Sequence, residues 1–83
     1  MTTIPWTEVD GSHEAIGSAI LLRVYQYHSG KWRWRVVAAM RLDFGYGACT
    51  VEEGFSPTAD EGRTECERVA RVYLAAMPEW QWV

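Results

Sequence analysis

Apolar and polar residues alternate most cleanly between Lys31 and Leu42. Trp32, Trp34, Val36, Ala38, Met40 and Leu42 fill the even positions, and Lys31, Arg33, Arg35 and Arg41 stand at odd ones. A period of two puts these sets on opposite faces of a strand, one apolar and one basic. From Ser18 to Tyr27, Ile20, Leu22 and Val24 alternate with Leu21, Arg23, Tyr25 and Tyr27, and the β-branched and aromatic content predicts a second strand. A two-residue turn at Ser29-Gly30 would set apolar positions opposite arginines. A three-residue turn, His28-Ser29-Gly30 with Gly30 left-handed, brings the even residues of both strands onto one face. The expected register is Val24 across from Trp34, Leu22 from Val36 and Ile20 from Ala38. Tyr25 beside Arg33, Tyr27 beside Lys31 and Arg23 opposite Arg35 then occupy the other face. Opposed arginines repel mildly, which calls for a carboxylate of the fold, an acid or phosphate of a partner, or solvent screening between them.

Asp43 to Gly47 reads as a turn, and Ala48 to Phe55 as a third strand with Cys49 and Val51 inward and Thr50 and Glu52 outward. Thr58 followed three residues later by Glu61 forms a capping box, with Pro57 at the entry and Asp60 in the first turn. The helix expected over 58–77 carries an apolar stripe of Gly62, Cys66, Val69, Ala70, Tyr73, Leu74 and Met77, and Pro78 stops it. Its small residues suit a close approach over Trp32 and Trp34. Residues 1–18 read as coil or a short edge strand over Thr3 to Val9 turned by Asp10-Gly11, with a single turn or nothing at His13-Glu14. The tail, 78–83, either adds a short strand or folds a tryptophan over the open end of the core. The fold class is α+β, one domain over 1–83: a three-stranded antiparallel meander (19–55) with one C-terminal amphipathic helix on one face.

Eighty-three residues suffice for one core, and five Trp exceed what so small a core needs, which favours an interaction protein. No run reaches the ~18 apolar residues of a membrane span. The N-terminus lacks the order of a secretory signal, so a cytoplasmic protein is expected, with Cys49 and Cys66 reduced. His13 and His28, read as loop residues, form no metal-ligand spacing with the cysteines, and no metal or cofactor is expected. No nucleophile, base and orienter occur in a recognisable pattern, and Glu52-Glu53 point to opposite faces of a strand, so no enzyme is expected.

Net charge is only −3, but it is divided along the chain. Arg23 to Arg41 holds five basic residues and no acidic one, whereas Asp43 to Glu67 holds seven acidic residues against Arg63 alone. Two candidate binding surfaces follow. Glu52, Glu53, Asp60, Glu61, Glu65 and Glu67 offer a negative surface to a basic protein partner. Arg23, Tyr25, Tyr27, Lys31, Arg33 and Arg35 pair stacking rings with cations on a sheet face, the composition of a nucleic-acid binder, single-stranded or structured. A homodimer joined at a sheet edge is a third arrangement.

The run from Gly54 to Arg63, Gly-Phe-Ser-Pro-Thr-Ala-Asp-Glu-Gly-Arg, ends a strand and starts an amphipathic helix. This layout, over residues 20 to 77, resembles that of small phage or mobile-element proteins such as anti-CRISPR inhibitors, and of HicB-like antitoxin domains. The strand-strand-strand-helix order is also similar to the C-terminal part of a double-stranded-RNA-binding domain. That family opens its last helix with lysines, where this chain has Thr58-Ala59-Asp60-Glu61. The phage-protein resemblance implies a non-enzymatic inhibitor whose acidic surface occludes a basic, nucleic-acid-handling surface of a host complex.

Overall fold

A computed structural model describes residues 3–28, 30–42, 45–76 and 82; for Ala39 to Leu42, Gly45, Tyr46 and Ala48 it describes the backbone only. The expected features at Asp43, Phe44, Met77, Pro78 and Trp80, and the core-facing side chains of Met40 and Leu42, lie outside the described residues. Among the described residues five antiparallel strands run in sequence order: β1 (Thr7–Val9), β2 (Ser12–Ile16), β3 (Ile20–His28), β4 (Lys31–Leu42) and β5 (Gly45–Ser56). One helix, α1 (Ala59–Ala75), packs on β3 and β4.

The expected meander is therefore the larger part of a five-stranded sheet. The correction comes from the N-terminal hairpin β1–β2, whose Asp10-Gly11 turn places both residues at positive φ (50° and 79°). His13 and Glu14, expected as a turn or coil, lie in β2, opposite Val24 and Arg23. Weak alternation hid this strand, since Ala15 is its single buried side chain. Residues ahead of β1 add Ile4 to the core, and the Trp6 indole donates to Glu67 on α1 (3.0 Å).

The β3–β4 register is as expected from Ile20↔Ala38 through Tyr25↔Arg33, with Gly30 left-handed. The three-residue turn is corrected: His28, expected as a loop residue, ends β3 and pairs with Lys31 in place of Tyr27, and the register shift falls between Gln26 and His28. The parity change needed to bury one face thus occurs at the end of the strand, one residue earlier than expected. β5 also starts earlier, at Gly45, and a second bulge separates Val36↔Glu52 from Val37↔Thr50. That extra residue, Val51, reverses the alternation. Cys49 pairs with Ala38 yet is exposed, and Glu52, expected outward, shares the helix-side face with Val36.

Leu22, Val24, Val36 and Cys66 are wholly buried at the centre of the core, joined by Ile20, Trp34, Val69, Ala70 and Leu74. Close helix approach has the expected cause. A Cβ on Gly62 would lie 2.8 Å from Val24 Cγ1, and the Cys66 thiol reaches the backbone carbonyls of Arg35 (3.7 Å) and Arg23 (3.9 Å). Tyr73, expected in the buried stripe, is exposed. The helix ends at Ala75, capped by Ala76, short of the expected 77. Trp82 forms an isolated antiparallel bridge with Gly17 and packs against the core, so it has a part of each alternative expected for the tail.

Candidate functional site: the groove between the sheet edge and the helix

Among the described residues β5 is the last strand of the sheet, with β4 on one side and no strand on the other. Because α1 sits over β3 and β4, a groove of about 500 Å³ opens between the helix and this edge. Its floor is the Trp34 indole resting on Gly54, where a Cβ would come within 2.8 Å of the ring. Only a residue without a side chain lets the ring lie there. Ser56 and Pro57 line the end where the chain leaves β5, and Glu61, Thr64 and Glu65 form the helix wall. Beyond them Arg68 reaches from α1 to the sheet, its guanidinium bonded to Glu65 (2.8 Å) and to Glu52 (3.4 Å).

The wall is fixed by the helix start. Thr58 has an extended backbone and its hydroxyl accepts the Glu61 N–H (3.1 Å), so the expected cap is present. Glu61, Glu65 and Arg68 then follow at four- and three-residue spacing along one ridge. Asp60, Arg63, Glu67 and Arg71 form the neighbouring ridge, paired as Asp60–Arg63 and Glu67–Arg71 (3.1 Å).

The six acidic residues of the expected negative surface are thus divided. Glu61 and Glu65 line the groove, Glu52 lies next to it through Arg68, Asp60 and Glu67 lie on the other ridge, and Glu53 is on the opposite face of the sheet. Among the described residues Glu61 alone of the six has no cation within 4 Å. Two like charges one turn apart on the groove wall, one of them unneutralised, leave the groove electronegative.

On the sheet face away from α1, Arg23, Tyr25, Arg33 and Arg35 come together as expected. Glu53 supplies the carboxylate required there, bonding Arg33 (2.7 Å) and Arg35 (3.0 Å), while Glu14 takes Arg23 (3.5 Å). The Arg33 hydrogen bond, with help from Arg35, holds the Glu53 carboxyl below its ordinary range. Arg23 stacks over Tyr25 (5.1 Å) and Arg33 over Phe55 (5.5 Å), with Tyr27 and Phe55 in ring contact and half exposed. Lys31 is exposed at the hairpin end of this face. Two internal carboxylates therefore offset much of its positive charge.

Sequence reasoning missed Gly54, Phe55 and Arg68, and assigned Trp34 to the core alone. A signal for Arg68 was present: it stands three residues after Glu65 and seven after Glu61. Among the described residues no cluster of His, Cys, Asp or Glu is arranged to hold a metal, and no helix is long and apolar enough to cross a membrane. Comparison with protein families, with curated proteins and with solved structures found no match.

Proposed function

We propose that this chain is a non-enzymatic protein-binding module that captures a basic segment of its partner in the groove between β5 and α1. The observation that carries this reading is the unneutralised Glu61 beside Glu65, on the wall of an aromatic-floored groove. A lysine or arginine fits such a site, with its aliphatic stem along the apolar part of the lining and its charged end at carboxylates. If that basic segment normally holds nucleic acid, occupying it would deny it to phosphate. This is the occlusion expected of a phage or mobile-element inhibitor acting on a nucleic-acid-handling complex.

The alternative, nucleic acid on the Tyr25, Tyr27, Arg33 and Arg35 face, draws support from the exposed rings of Tyr27 and Phe55. It is the weaker reading because Glu53 stands between the two arginines. Two double variants separate them. Glu61→Lys with Glu65→Lys is expected to abolish co-precipitation of a basic partner and leave gel shifts of labelled single-stranded oligonucleotides unchanged. Salt-sensitive oligonucleotide binding, lost in Arg33→Glu with Arg35→Glu and kept in the acidic-site variant, would instead establish the nucleic-acid reading.

A further inference from the structure

Resting on the reading of the groove as the partner site, we infer the form of the ligand: an extended basic segment that adds to β5 as a sixth strand. β1, at the other edge of the sheet, has three residues and little ladder to offer, whereas β5 has twelve. An edge of that length presents a row of backbone donors and acceptors to any strand laid beside it. The edge runs from Glu52, held by Arg68, into the groove at Gly54 and along it to Pro57. At about 3.3 Å per residue, the span accommodates roughly five residues of added strand.

Side chains of an added strand alternate between the two faces of the sheet. Those on the helix side enter the groove over Trp34 and meet Glu61 and Glu65, which selects lysine or arginine. Those on the other side lie beside Phe55, 55% exposed, which selects an apolar or aromatic residue. The ligand class is therefore an alternating basic–apolar segment in extended conformation. Charge supplies the specificity, since an acidic segment would meet Glu52, Glu61 and Glu65 together.

The test uses the full chain, ¹⁵N-labelled, titrated with the heptapeptide Ser-Val-Arg-Val-Lys-Val-Thr. Three other forms of it are compared: one with Glu in place of Arg and Lys, and two N-methylated at alternate residues in the two phases. Amide shifts in 52–56 and 61–65, at least tenfold weaker binding of one N-methylated phase, and no shifts with the acidic peptide are expected. At least tenfold weakening in Glu61→Gln with Glu65→Gln, checked for native helix content by circular dichroism, is expected as well. Unchanged affinity for both N-methylated phases, with loss in the glutamine variant, would overturn strand addition and leave basic capture standing. Loss on N-methylation with full affinity in the glutamine variant would overturn the acidic site and leave the edge. Absence of shifts with every peptide would overturn both.

Discussion

Cys66 and Gly62 show how closely the helix lies on the sheet, and each has a measurable consequence. Burial pushes the Cys66 thiol up to about 12, so the native state keeps its proton over a range in which the unfolded chain has lost it. Its contribution to stability is complete below the ordinary thiol value of about 8.5 and declines as pH rises from there through 12, by up to about 1.4 kcal/mol per pH unit. Denaturant midpoints measured from pH 8 to 12 are expected to fall less steeply in Cys66→Ala than in the wild type. Under native conditions at pH 8, iodoacetamide is expected to modify exposed Cys49 and to reach Cys66 only after unfolding. At Gly62, alanine would gain about 1 kcal/mol of helix propensity but drive a methyl group into buried Val24, an overpacking cost of about 1–3 kcal/mol. Gly62→Ala is therefore expected to lower stability by about 1 kcal/mol in urea unfolding. A gain would show that the helix moves away without cost.

Among the elements, β3, β4 and α1 were legible because strict alternation, a left-handed glycine and a capping box each admit one local solution. Thr58→Ala removes the acceptor for the Glu61 N–H, and thermal unfolding is expected to show a loss of about 1 kcal/mol. The same substitution loosens the turn that places Glu61 on the groove wall, so binding of a basic peptide should weaken with it. β2 was illegible because it buries one side chain, Ala15, and otherwise carries Ser12, His13 and Glu14, which equally suit a loop. Val51 packs toward the core as expected, but Glu52 was misread for a different reason: a bulge at Val51 reverses the alternation beyond it, and sequence periodicity cannot register an added residue. The groove was only half legible. Glu61 and Glu65 were recognised by charge, but their convergence with Trp34 and Gly54 depends on which strands the helix covers, a long-range outcome with no local signal.

At the scale of the molecule, the sheet is covered on one face, and its charges are matched across elements. Glu14 of β2 and Glu53 of β5 reach Arg23, Arg33 and Arg35 on the uncovered face, while Arg68 ties α1 to β5. Among the six acidic residues of the candidate surface, Glu61 alone stays outside this pairing in the described residues. Because its range is depressed, Glu53 should keep its charge and its bridges as the pH falls through the ordinary carboxylate range. The stability that Glu53 contributes is present above the unfolded carboxylate range and lost as pH falls through its own lower one. Carboxyl resonances followed by NMR from pH 7 to 2 are expected to show Glu53 titrating below the ordinary carboxylate range.

The groove's charge is tested most directly by a double-mutant cycle between its wall and its ligand. Glu61→Gln with Glu65→Gln is combined with replacement of the arginine and lysine of the heptapeptide by glutamine, and all four affinities are measured by titration calorimetry at one salt concentration. Coupling is the expected result: each change alone weakens binding at least tenfold, and the second change adds less than twofold. Additive losses, or equal affinity of the basic and glutamine peptides for the wild-type chain, would contradict capture of a basic segment at Glu61 and Glu65.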